Sequence, residues 1–285
     1  MSDNFIYVLG TAQDGGYPHI GCIDKCCKKV KNKRYISSIA IVDNKNKYSW
    51  IIDVTPDISS QLRLLNKYVD NYNYPSISGI FLTHAHTGHY AGLINFGLEC
   101  MNLKGIPIYV FSKMNNFLNS NSMFKQLIKN KNIIINNIDE NSTIQLNQKI
   151  NIKGFLVPHR NELSETVGFN IKTNKQSIIY LPDIDAWDQW SINILDLIKK
   201  HDVLLLDGTF YKKNELKNRD IKKVPHPTIL QNIQIMNKLA VKERNKIYFT
   251  HLNHTNKALI KDSIEYNKII TSGYNILEDK TIFKL

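Results

Sequence analysis

Three imidazoles, His84, His86 and His89, follow directly on the apolar run Ile80-Phe81-Leu82. A short apolar run of this kind reads as a buried strand. A buried strand ending in His-x-His-x-x-His presents several neutral ring nitrogens from one rigid point, which suits zinc, iron or manganese better than it suits packing. His159, Asp183, Asp207 and His251 also stand at or just after the ends of apolar strands. A fold that brings these ends to one rim makes a site.

The pattern along the chain predicts many short strands and several helices. Phe5–Leu9 reads as a first strand, and Ser38–Val42 with Tyr48–Ile52 as a hairpin across Asn44–Lys47. Gly79–Leu82, Ile106–Val110, Ile133–Ile135, Ile144–Leu146 and Ile150–Val157 read as further strands. Thr166–Ile171 and Ser177–Leu181 read as a second hairpin, followed by strands at Val203–Leu206 and Ile247–Thr250 and two short strands in the tail. Helical spacing predicts helices opening at Pro56 and spanning Tyr90–Asn102, Lys113–Lys129, Trp187–Lys200 and Thr228–Leu239. Gly10–Tyr35 is left as a long connection, and loops of that length are usually functional or metal-stapled. There is no repeat and no linker, so residues 1–285 are expected to form a single domain.

With 42% hydrophobic residues the chain has enough apolar surface for a large core, yet no window approaches the roughly twenty apolar residues of a spanning helix. No leader-like segment opens the sequence, so an unexported, cytoplasmic protein without a membrane partner is expected. Lys and Arg total 37 against 25 acidic residues, a formal charge of +12. The lysines are scattered among asparagines and isoleucines rather than gathered with aromatics. A solvated basic surface and a small anionic substrate therefore account for the charge better than nucleic acid does. Cys22, Cys26 and Cys27 crowd into the long connection, and such clustering in an unexported protein favours metal over disulfide. Cys100 reads as a small core residue.

Taken in order, HAHTGH at His84–His89, VPH at Val157–His159, YLPD at Tyr180–Asp183 and FTHLNH at Phe249–His254 resemble the metallo-β-lactamase superfamily. Within it the chain is similar to the branch of the pyrroloquinoline quinone biosynthesis protein B group and the phosphonate-pathway cyclic phosphodiesterase. That likeness rests on Gly15–Pro18, Asp207-Gly208-Thr209, Pro225-His226-Pro227 and His251–Asn256. The resemblance implies an α/β fold, a four-layer αββα sandwich with a metal site at one edge. It implies one or two divalent transition metals: His84, His86 and His159 would hold the first, His89 and His251 the second, with Asp183 bridging. The implied activity is a phosphodiesterase-like hydrolysis in which metal-bound hydroxide attacks a phosphoester or ester-like bond. An iron-dependent oxidative enzyme of quinone cofactor biosynthesis and a noncatalytic metal-binding relative are the alternatives.

The superfamily pattern has an aspartate where this chain has Gly88. Three explanations stand: a weak or absent second metal, a substitute carboxylate such as Asp14, or a chemistry other than two-metal hydrolysis. In the phosphodiesterase relatives a cysteine cluster is completed by a histidine three residues after the last active-site histidine. The resemblance thus implies a structural zinc at Cys22, Cys26, Cys27 and His254. His226, between two prolines after the basic segment Lys212–Lys223, is expected to approach substrate from a flap as a catalytic group, and Asp207 to orient a metal-binding histidine.

Overall fold

The computed structural model describes residues 3–69, 77–216 and 224–285. The first sheet begins with β1 (Asn4–Gly10), β2 (Ser38–Asp43), β3 (Tyr48–Ile52), β4 (Gly79–Phe81), β5 (Ile106–Val110) and β6 (Ile133–Asn137). The second holds β7 (Thr143–Gln145), β8 (Asn151–Val157), β9 (Thr166–Lys172), β10 (Ser177–Leu181), β11 (Val203–Asp207), β12 (Ile247–Thr250) and β13 (Asn275–Ile276). The last strand, β14 (Ile282–Lys284), returns to the first sheet beside β1. Among the described residues the orders are β14-β1-β2-β3-β4-β5-β6 and β13-β12-β11-β10-β9-β8-β7. In each sheet the pairing changes from antiparallel to parallel partway across, at β3–β4 and at β10–β11.

The strand alternation separates the layers. On β1, Phe5, Tyr7 and Leu9 face the helix Ile58–Val69, whereas Ile6 and Val8 face the opposite sheet. The second sheet does the same with Leu204 and Leu206 toward its helices and Leu205 toward the interior. Ile39, Ile41, Ile52, Phe81, Phe169, Ile171 and Tyr180 fill the space between the sheets, all nearly inaccessible. Two outer helical layers and two sheets make the expected four-layer αββα sandwich.

Three predicted helices take a different form. Tyr90–Asn102 is a single α turn, Thr87–Tyr90, followed by a 3-10 stretch, Ala91–Phe96. The tight path lets Gly92 pass under the carbonyl of Thr55, where a Cβ would lie 2.2 Å away. Lys113–Lys129 is two helices, Ser112–Ser120 and Ser122–Lys129, because Asn121 turns extended and its side chain accepts from Met123 N to cap the second. Trp187–Lys200 is a 3-10 turn and then a helix from Ile194, capped by Asn193. Cys100 is exposed rather than part of the core. No helix among the described residues is long and apolar enough to cross a membrane.

Candidate metal centre

The strand ends meet as anticipated. His84 and His86 follow β4, His159 follows β8, Asp183 follows β10, Asp207 ends β11 and His251 follows β12. His84, His86 and His159 place ligand atoms within 4.8 Å of one another. Their closest nitrogens are His84 Nε2 to His86 Nδ1 at 2.8 Å and His159 Nε2 to His86 Nδ1 at 3.3 Å. A second set joins Asp14, His89 and His251. Asp14 Oδ1 lies 3.3 Å from His89 Nε2 and 3.6 Å from His251 Nε2.

Asp183 stands between the two sets. Its Oδ1 is 3.7 Å from His159 Nε2, while Oδ2 is 3.3 Å from His89 Nε2 and 3.5 Å from His251 Nε2. Asp14 Oδ1, His89 Nε2, Asp183 Oδ2 and His251 Nε2 are all buried polar atoms without a hydrogen-bond partner. Stranding one such atom costs about 1–3 kcal/mol, so four aimed at one point call for a shared partner. Donors around a tetrahedral ion at about 2.0–2.1 Å stand roughly 3.3–3.4 Å apart, close to the spacings seen here. The donor set therefore fits a divalent metal, and the clusters present are capable of binding one.

The histidines are aimed by a common device. His89 Nδ1 donates to Asp53 (2.7 Å), His159 Nδ1 to Asp185 (2.6 Å) and His226 Nδ1 to Asp207 (2.6 Å). Thr83 Oγ1 donates to Asp53 and accepts from His84 Nδ1 at 2.9 Å. Thr209 Oγ1 donates to Asp207 and accepts from His251 Nδ1 at 2.9 Å. In each of these five rings Nδ1 is engaged by this outer partner, which turns Nε2 inward. Asp53 and His251 hold left-handed backbone conformations, with φ 69° and 58°, at the strand ends where the chain turns away. Such uncommon geometry in buried residues clusters at functional sites.

Burial holds His84 well below the usual histidine value and lowers His86 to about 4, so both are neutral and ready to ligate at pH 7. For His89 burial acts in the same direction but is outweighed by the Asp53 and Asp183 carboxylates, which hold it well above the usual value. Burial would raise Asp183, yet the surrounding imidazoles of His251, His89, His84 and His159 keep it far below the ordinary carboxylate range.

Asp53, Thr83, Asp185 and Thr209 were not assigned these orienting roles from sequence. Their one shared signal is position at or just beyond a strand end. His226 lies inside the centre, 9% exposed, with its ring 5.4 Å from His159 and 5.9 Å from His251. It is thus not on a flap, and residues 217–223 of the basic segment fall outside the described residues.

The thiol cluster forms beside this centre. Cys22, Cys26 and His254 place ligand atoms within 4.8 Å of one another, with Cys22 and Cys26 Sγ 3.7 Å apart. Cys27 Sγ lies 3.9 Å from Cys26 and accepts from His19 N, so it adjoins the group without belonging to it at that limit. All four cysteines are free thiols. Burial, with the Cys22 and Cys27 thiols, pushes Cys26 up to about 12, so a bound cation would have to displace its proton. A cavity of about 1070 Å³ opens from Asp14 across this loop, lined also by Ile20, Ile23, Lys25, Lys212 and Lys257.

Comparison with known proteins agrees with this geometry. Residues 49–252 match the family described as Beta-lactamase superfamily domain. "Coenzyme PQQ synthesis protein B" of Acinetobacter baylyi is 25% identical over 91% of this chain and 93% of its own. The crystal structure of Zn(2+)-bound PqqB from Methylobacterium extorquens superposes with a TM-score of 0.82 at 21% identity, covering 99% of this chain and 100% of that one. A diphosphatase from the PhnP family superposes with a TM-score of 0.70 at 22% identity, covering 98% and 96%. With clusters able to hold a metal at the strand ends and these likenesses, the chain belongs to the metallo-β-lactamase superfamily, close to the PqqB and PhnP branch.

Proposed function

We propose that this chain is an iron-dependent oxidative enzyme acting in the synthesis of a quinone cofactor of the PQQ type. The observation that carries the proposal is the donor set Asp14, His89 and His251. Two imidazoles and one carboxylate are the ligand pattern of non-haem iron oxygenases, and Asp183 Oδ2 faces the same two imidazoles as a second carboxylate. The second support is the likeness to coenzyme PQQ synthesis protein B, sustained at 96% of this chain and 97% of the relative from Methylorubrum extorquens.

Under this proposal His84, His86 and His159 hold one ion, Asp14, His89 and His251 the other, and Asp183 lies between them. A bound divalent ion supplies Lewis acidity and, when it is iron, redox chemistry toward dioxygen. His226, fixed by Asp207, turns Nε2 toward Asp183 and His251 and carries a proton to or from the substrate. The net charge of +12 favours an anionic substrate, and the scatter of the lysines favours a small one over nucleic acid. Cys22, Cys26 and His254 hold a structural zinc, with Cys27 beside them.

One observation favours a second reading: the two oxygens of Asp183 face different donor sets, the placement of a bridging carboxylate in two-metal hydrolysis. The two are separated by one experiment. The gene is placed in a bacterium lacking its own coenzyme PQQ synthesis protein B, and the metal in the protein purified without added metal is identified. Restored PQQ production with iron bound supports the oxidative enzyme. No restoration, with zinc bound and hydrolysis of bis-p-nitrophenyl phosphate, overturns it in favour of the hydrolase.

A further inference from the structure

Asp14 is a donor supplied by a loop, and what fixes that loop is visible on both of its sides. On one side lies Gly88. A Cβ there would meet Asp14 Oδ1 at 2.3 Å and both Asp14 Cα and Cγ at 2.8 Å. All three nearest atoms belong to Asp14, and Gly88 has no left-handed φ, so its bareness serves this close approach rather than a turn.

On the other side the loop is joined to the segment that carries His251 and His254. Leu252 N donates to Thr11 O at 2.8 Å, Gln13 N donates to Leu252 O at 3.0 Å, and the Asn253 side-chain amide donates to Gln13 Oε1. Beyond Asp14, the His19 ring lies so close over Gly15 that a Cβ there would sit 2.2 Å from it. That ring lies tilted against His254 at 4.2 Å between centroids, and His19 N donates to Cys27 Sγ. A continuous set of contacts therefore runs from the thiol cluster through His19 and Gly15 to Asp14. The Cys22–Cys26 spacing of 3.7 Å matches thiolates around a tetrahedral ion, which would stand roughly 3.8 Å apart.

We infer that Gly88 and the thiol cluster are positioning elements for Asp14, so that metal affinity at Asp14, His89 and His251 depends on both while the position at His84, His86 and His159 depends on neither. The inference rests on the proposed assignment of Asp14, His89 and His251 as a metal position. Neither Gly88 nor the thiol cluster supplies a donor to that position; each acts by where it holds the Asp14 carboxylate.

Cobalt(II) titration of the metal-free full chain tests this, because thiolate-to-cobalt charge-transfer bands report the cysteine cluster separately from the ligand-field bands of imidazole and carboxylate sites. Gly88→Ala is expected to keep the thiolate band and the first active-site event, and to weaken the second by about tenfold or more. Cys22→Ser combined with Cys26→Ser is expected to lose the thiolate band and weaken the same second event. If the cysteine variant does not fold, Gln13→Ala, which keeps every donor and every thiol, decides that arm by the same weakening. Unchanged second-event affinity in Gly88→Ala and in the loop variant overturns the inference. Asp14→Ala distinguishes the two levels: if it leaves the second event intact, the metal assignment itself has failed. If Asp14→Ala abolishes the event and the positioning variants do not move it, only the positioning role has failed.

Discussion

The carboxylate of Asp14 fills the space that any side chain at position 88 would need, approaching to 2.3 Å from where a Gly88 Cβ would stand. Restoring the superfamily's aspartate by Gly88→Asp is therefore expected to reduce metal content at the second position, not to raise it. The added Cβ meets the backbone Cα of Asp14 as well as its carboxylate, so a side-chain rotation does not relieve the overlap. Metal stoichiometry of the purified variant checks this; a full second equivalent would show that position 88 can take over from Asp14.

Asp53 accepts from His89 Nδ1, Thr83 N and Thr83 Oγ1 while fully buried. Asp53→Ala strands these donors and frees two histidines to rotate, since Thr83 also holds His84. Metal affinity is expected to fall about 10- to 100-fold. Folding stability should fall by about 1–3 kcal/mol for each buried donor left unpaired. Metal titration and urea denaturation of the metal-free protein separate the two losses, and normal affinity would refute the orienting role.

Asp279 gives a pH dependence remote from the metal donors. Burial pushes its carboxyl up to about 6, against the pull of hydrogen bonds from Thr11 Oγ1 and Tyr35 N and of the Arg34 guanidinium. The folded chain thus holds this proton more tightly than the unfolded chain. The group's contribution is full below the ordinary aspartate value near ~4 and is lost as pH rises through about 6. The loss is on the order of 2–3 kcal/mol. Asp279→Asn is expected to flatten the stability profile between these limits, measured by urea denaturation at several pH values. A slope equal to that of the parent would exclude Asp279 as its source.

Metal itself should act on stability by mass action. Free metal at about a hundredfold above its dissociation constant adds roughly 2.7 kcal/mol per independent site, and a chelator removes it. A thermal midpoint insensitive to chelator would show that the gathered donors are satisfied without a cation.

The architecture was legible in sequence because strands buried on both faces leave short unbroken apolar runs, as at β1, β4 and β11, and because polar residues at strand ends stand out against them. Where prediction differed, local geometry had overridden periodicity. Asn121 carries an ordinary helical context yet caps a new helix, and the stretch after His89 tightens to 3-10 to let Gly92 pass Thr55. The gathering of the histidines was readable from their spacing and context. The orienting set was not, since Asp53 and Thr83 acquire meaning only when β3 lies beside β4, and Thr209 only when β11 lies beside β12. Asp14 was open from sequence for a similar reason: nothing in Gln13-Asp14-Gly15 shows that Gly88 lies against it.

The two donor sets differ in how much of the chain each must wait for. His84, His86 and His159 all precede β9, whereas the set of Asp14 and His89 is incomplete until β12 delivers His251 between β11 and β13. A chain emerging from its N-terminus thus possesses the first position well before the second. An ion at the second position would join residues near opposite ends of the polypeptide, closing it into one long loop. Unravelling past Asp14 from one side, or past His251 from the other, would then have to break that closure.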